Sequence, residues 1–141
     1  MDANHKNIHI QIDPVLTAEE VALRILSGWD GDQNEWESCL TQNLCNVSAR
    51  TADGAVVGVG FASGNSRRAD IADLVVHPNW RQMGIGGKIL DALLDYTTQQ
   101  KIKYVGLAYD TSSPWLREFY EKHGFQDIDF AMWTKASLKN L

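Results

Sequence analysis

Between His77 and Leu90 the chain reads HPNWRQMGIGGKIL, with Gly84, Gly86 and Gly87 packed into four positions at the start of an apolar, helix-forming run. Glycine is about 1 kcal/mol worse than alanine in a helix, so a helix that opens on three of them gives up stability for another purpose. Helix N-termini expose unpaired backbone N–H groups and the positive end of the macrodipole. Without side chains in the way, an anion approaches those amides closely. Arg81, just upstream, adds a charge-assisted contact. The segment suits a phosphate or pyrophosphate.

The rest of the chain supplies strands and helices around it. IHIQI alternates and reads as a first strand. TAEEVALRILSGW is a helix, with Thr17 as cap, Glu20 at the capping-box position and an end near Gly28. NEWESCLTQNL places Trp36, Leu40 and Leu44 at helical spacing. VSART and AVVGVGFAS flank the Asp-Gly turn signal at Asp53 and Gly54 and predict a hairpin. DIADLVVHP is a further strand, stopped by Pro78. Ile85 to Gln100 is the strongest helix, KYVGLAY a buried strand, and SPWLREFYEKHGF a helix with Ser113 as N-cap, Pro114 at its first position and Gly124 as stop. IDFAMWTK is expected to close the chain as a strand. Alternating strands and helices after a hairpin predict an α/β or α+β fold with a mixed sheet.

A length of 141 residues predicts a single domain over 1–141, able to bury roughly 70% of its extended-chain surface without disulfide or metal. The net charge of −5 argues against nucleic acid as main partner and fits a cationic small molecule. Cys39 and Cys45 match no common zinc spacing and are expected to be buried free thiols. His5 and His9 lie in an extended segment, so metal binding is not expected. No signal-like or membrane-length apolar run is present, which predicts a cytoplasmic location and no membrane partner.

Two familiar phosphate motifs fail. A P-loop would need a hydroxyl after Lys88, where Ile89 stands, and a dinucleotide fingerprint would need glycine at that same position. Arg81-Gln82-Met83-Gly84-Ile85-Gly86, following Val76-His77-Pro78-Asn79-Trp80, instead resembles the pyrophosphate loop of the GNAT N-acetyltransferases. REFYEKHGF, Arg117 to Phe125, is similar to a later signature of the same family, and the order of elements agrees over roughly Asp70 to Trp133. DLVVHPNWRQMGIGGKIL, EFYEKHGF and the closing AMW further resemble the branch that includes plant-type serotonin N-acetyltransferases and bacterial relatives. Gln82 and Met83 depart from the commoner glycine and polar residue, and the Asp110–Pro114 loop is longer than in the plant enzymes.

The resemblance implies the GNAT fold, acetyl-CoA as co-substrate, no metal, and direct attack of a neutral primary amine on the thioester. Leu74, Val75 and Val76 would pair with the pantetheine arm, and a backbone N–H there would polarise the carbonyl. Arg81, Gln82, Met83, Gly84, Ile85, Gly86, Gly87 and Lys88 would hold the pyrophosphate, and Ser113 stands where many relatives carry a cofactor-side asparagine. Tyr120 aligns with the tyrosine near the cofactor sulfur, a general acid for the thiolate; read from the helix alone, it is a packed aromatic between Phe119 and Phe125. Asp73 and Asp110 match acidic positions of the serotonin-type branch and are base or acceptor-binding candidates; by position alone they are a strand residue and a turn residue. Trp29 and Trp36 flank DGDQNE, where acceptor loops lie in this fold, and would suit a hydrophobic or aromatic amine. A small-molecule amine is the favoured acceptor. Protein lysine or N-terminal acetylation and a non-catalytic acyl-CoA-binding module are the alternatives. A homodimer joined through the final strand is the assembly that analogy suggests.

Overall fold

The computed structural model describes residues 7–13, 17–128, 132 and 134–139. Five strands form one mixed sheet in sequence order: β1 (His9–Asp13), β2 (Cys45–Arg50), β3 (Val56–Gly64), β4 (Arg68–Val76) and β5 (Tyr104–Leu107). The first three pairings are antiparallel and β4–β5 is parallel. Helices α1 (Ala18–Leu26) and α2 (Gln33–Thr41) precede β2, α3 (Ile85–Gln99) links β4 to β5, and α4 (Pro114–Lys122) and the short α5 (Lys135–Leu138) follow.

Helix α3 lies on one face of the sheet because glycine leaves room for it there. A Cβ at Gly58 would stand 2.7 Å from Ile89 Cδ1, and one at Gly60 would stand 3.0 Å from Ile89 Cγ2. Ile85, Ile89, Leu90 and Leu93 sink into the main core with Val47, Ala49 and Ile71, each worth about 1.5–3 kcal/mol relative to exposure. The i, i+4 spacing of Ile85, Ile89 and Leu93 dictates that face. On the other face, α1 and α2 cover Val59, Phe61 and Val75 with Val21, Leu23, Trp36 and Leu40.

Several boundaries differ from the sequence expectations. Cys39 is exposed while Cys45 is buried, because α2 turns only Trp36 and Leu40 to the core. β5 is half-buried, not buried: among the described residues it pairs only with β4. Ser113 precedes α4 as expected but makes no side-chain capping hydrogen bond. Lys135, assigned to a closing strand, instead begins α5, whose N-cap Thr134 accepts from the Ser137 N–H. The remainder of that strand lies largely outside the described residues, as do Trp133 and His5.

Candidate functional site

The site begins where β4 loses its neighbour. β4 and β5 pair from Arg68↔Tyr104 to Ile71↔Leu107 and then separate. From Ala72 onward, β4 has no strand partner on that side among the described residues, so the backbone of Leu74, Val75 and Val76 faces an open edge. Buried backbone N–H and C=O groups are almost always paired, and an extended ligand can pair with such an edge as an added strand does.

A cleft of about 740 Å³ opens along this edge. Its floor is Leu74, Val75 and Val76, and one end is the loop and first turn from Arg81 through Gln82, Gly84, Ile85, Gly86 and Gly87. One wall comes from α4, with Trp115, Leu116, Phe119 and Tyr120; the mouth is formed by Ser27, Trp29 and Trp80. Among the described residues lining it, Arg81 carries the only charged side chain. Its Nε donates to the Val76 carbonyl at 3.0 Å, which draws the guanidinium back beside the strand end.

The start of α3 is unlike those of the two earlier helices. Thr17 and Glu20 form a capping box on α1, and Asp32 and Glu35 form one on α2. On α3 the N-cap is Gly84, in left-handed conformation (φ +78°), with no side-chain capping bond. Gln82, also left-handed at φ +63°, turns the chain just before it. Such backbone presents successive N–H groups to a common point and suits an anion. A Cβ at Gly86 would lie 3.7 Å from Phe119 Cζ and 3.8 Å from Val76 Cγ2, between the two sides of the cleft. Gly86 therefore keeps that crevice free of a side chain.

Tyr120 stands in the wall, held edge-on by Phe119 (ring centroids 5.1 Å apart) and Phe125 (5.9 Å) and tilted against Tyr109 (6.0 Å). Burial pushes its phenol above the ordinary value, so it keeps its proton throughout the neutral range. Behind it, the Tyr109 hydroxyl donates to Asp127 at 2.8 Å, and Arg117 pairs with Asp127 at 3.0 Å and with Glu121 at 2.7 Å. These contacts tie the segment after β5 to the end of α4.

The two acidic candidates have different surroundings. Asp110 is exposed and its Oδ1 accepts from the backbone and hydroxyl of Ser112, at 2.9 and 2.6 Å. Those bonds hold its carboxyl below the usual range, which makes it a weak base. Asp73 is half-buried at a β-bulge: Phe61 pairs with Ala72 and Val59 with Val75, so Gly60 alone faces both Asp73 and Leu74. Its backbone is left-handed (φ +54°), and burial pushes its carboxyl up while Arg24 of α1 pulls it down. Neither carboxylate lines the cleft directly, nor do Met83, Lys88 or Ser113.

Trp36, expected in an acceptor loop, is core: its indole N–H donates to the Asp30 carbonyl at 3.0 Å and its ring packs with Val21 and Leu40. The sequence reading passed over Ser27, Trp80, Trp115, Leu116 and Phe119 as site residues. The i, i+4 spacing of Trp115 with Phe119 and of Leu116 with Tyr120 was the available signal for the α4 wall. Among the described residues, no group of three or more His, Cys, Asp or Glu is placed to hold a metal, and no helix is long and apolar enough to cross a membrane.

The family model of the GNAT acetyltransferase domain matches residues 45–127. Among solved structures, a GNAT family acetyltransferase from Streptococcus pneumoniae TIGR4 is similar at 25% identity and a TM-score of 0.78, over 91% of this chain and 98% of that one. A GNAT family acetyltransferase from Elizabethkingia anophelis with acetyl-CoA bound is similar at 21% identity and a TM-score of 0.72, over 87% and 78%. The aminoglycoside 6′-N-acetyltransferase of Acinetobacter baumannii is similar at 15% identity and a TM-score of 0.72, over 92% and 97%. No curated protein matches the chain.

Proposed function

The chain belongs to the GNAT acetyltransferase family and is an acetyl-CoA-dependent N-acetyltransferase; on that premise we propose that it acetylates a small-molecule primary amine by direct attack in a ternary complex. The observation that carries this reading is the unpaired β4 edge running into an uncapped glycine helix start, with Tyr120 in the facing wall. Acetyl-CoA supplies the acyl thioester. The amides from Gly84 to Gly87 and the Arg81 guanidinium hold its pyrophosphate, whereas the Lys88 N–H, expected to join them, donates to the Gly84 carbonyl at 3.1 Å within α3; the Leu74–Val76 edge orients its arm and offers an N–H to the carbonyl oxygen.

Proton handling is divided between two groups. An alkylamine has a pKa of about 10 and must lose a proton before it attacks. Asp73 takes that proton, relayed by water because the carboxylate does not line the cleft. The new C–N bond forms as the C–S bond breaks, Tyr120 Oη gives its proton to the departing sulfur, and the second proton that the amide nitrogen must shed restores the Tyr120 phenol while Asp73 releases its own to solvent. Asp73 is preferred over Asp110 because a carboxyl pushed up by burial is the better base at neutral pH. Exposed Trp29 and Trp115 at the cleft, and the resemblance to the serotonin-type branch, support an acceptor with an apolar or aromatic body.

Thiol release from acetyl-CoA, measured across arylalkylamines, polyamines, aminosugars, amino acids and lysine peptides, tests this. Turnover on a small amine is expected. Turnover on lysine peptides alone refutes the small-molecule acceptor, and silence across all classes refutes the reading of these amines as acceptors.

A further inference from the structure

Arg24 is fully buried, at 0% exposure, in the layer between α1 and the sheet. Its Nη1 donates to the Glu20 carbonyl at 3.2 Å, while Nε and Nη2 have no hydrogen-bond partner among the described residues. The guanidinium carbon lies 5.5 Å from the Trp36 ring centroid and 5.8 Å from that of Phe61. Ring faces offset part of the desolvation of a cation, but a buried charge with unpaired donors still loses several kcal/mol relative to water. An apolar side chain of the same length would fill the space without that loss. The charge itself therefore needs a purpose.

Asp73 gives it one. Phe61, against which Arg24 packs, pairs with Ala72, so the bulge sets Asp73 beside the same layer. Without the extra residue, strict alternation would put Asp73 on the face of Ile71, beneath α3. The bulge instead gives the α3 face to Leu74, whose Cδ1 is 3.1 Å from the Cβ position of Gly60, and leaves Asp73 to interact with α1. The groups around it are few. Arg24 acts on it directly from α1, Cys39 of α2 feels both charges, and Glu20 acts on Arg24 from its own helix. β3 carries no titratable side chain, the only one of β5 is Tyr104 at the far end of β4, and α3 packs on the opposite face.

We propose that Arg24 is a positioning residue that holds the Asp73 side chain as a carboxylate across the α1–β4 interface. The inference deepens the assignment of Asp73 as the base and rests on it for its catalytic consequence. Burial alone favours the neutral acid; the Arg24 charge opposes it and keeps a larger fraction of Asp73 able to accept a proton at neutral pH. Removing the charge moves the Asp73 titration to higher pH, and the acidic limb of kcat/KM moves with it.

The test follows the Asp73 carboxyl carbon by ¹³C NMR through a pH titration of the full chain, beside the kcat/KM profile. Arg24→Gln, which keeps a donor for the Glu20 carbonyl, should raise the Asp73 midpoint by about one unit, and Arg24→Lys should restore most of it. A rise in the midpoint with an equal shift of the rate limb supports both the coupling and the base. A rise with an unmoved rate limb supports the coupling and refutes Asp73 as the base. An unmoved midpoint overturns the inference whatever the rates do. Should Arg24→Gln fail to fold, the ¹⁵Nε resonance of Arg24 in the unsubstituted chain decides. An inflection at the Asp73 midpoint that disappears in Asp73→Asn supports the coupling, and its absence overturns it. Asparagine tolerates the left-handed backbone at this position.

Discussion

Replacing Gly86 with alanine separates the stability of α3 from its use. The residue lies in the first turn of α3 and not in the left-handed region, and an added Cβ meets Phe119 and Val76 at ordinary contact distances of 3.7 and 3.8 Å. Alanine there is stabilising by about 0.5–1 kcal/mol, chiefly through the unfolded chain. For a chain of this size that raises the melting temperature by about 2–5 °C. The same methyl fills the crevice between β4 and α4 that the proposed mode of binding gives to acetyl-CoA. Alanine keeps the backbone N–H, but a ligand pushed away by the methyl until one charge-assisted hydrogen bond is lost binds more weakly by about 1.5–3 kcal/mol, or roughly 10–100-fold in Kd. Differential scanning fluorimetry and calorimetric titration of acetyl-CoA on one preparation read both quantities. A protein that melts higher and binds acetyl-CoA within twofold of the parent refutes the role given to this glycine. A lower melting temperature refutes the claim that the site has room for a methyl.

Gly58→Ala is the opposite case: its Cβ would stand 2.7 Å from Ile89 Cδ1 and 3.2 Å from Ile85 Cγ2, overpacking worth about 1–3 kcal/mol and a fall of about 3–12 °C in melting temperature, with weaker acetyl-CoA binding as Ile85 is displaced. Tyr120→Phe should lower kcat roughly 100-fold while leaving acetyl-CoA affinity within about twofold of the parent; an unchanged kcat sinks the acid assignment. Because burial raises the Tyr120 pKa above its ordinary 10.0, the fold favours the neutral phenol. Its contribution to stability is complete below the unfolded value and is lost as pH rises through the folded one. The alkaline fall in melting temperature should therefore be shallower in Tyr120→Phe, and identical curves for the two proteins would refute that linkage.

Much of the fold was legible because the signals are local. Thr17 with Glu20 marks the start of α1, the Asp53-Gly54 turn closes the β2–β3 hairpin, and the spacing of Ile85, Ile89 and Leu93 names the buried face of α3. The uncapped glycine start of α3 was legible for the same reason, since caps and left-handed glycines act within a few residues of themselves. The boundaries that shifted depend on distant partners. Cys39 is exposed because α2 presents other residues to the sheet, and Lys135 enters a helix whose capping signal, Thr134, lay inside an apparent strand.

By itself, the sequence determined that a strand, a glycine-rich turn and an amphipathic helix follow one another, and that Tyr120 lies on the next helix after it. Only the tertiary structure decided what those pieces enclose. Among the described residues the β4 edge is open because β5 stops pairing at Ile71, and no pattern within either strand states where a neighbour ends. Asp73 leaves the α3 face because one extra residue against Gly60 reverses the alternation, and a period of two cannot show the register in which two strands meet. Arg24 is interior for a like reason: helical spacing puts it on the side of α1 that carries Glu20 and Val21, but only packing against Trp36 and Phe61 buries that side.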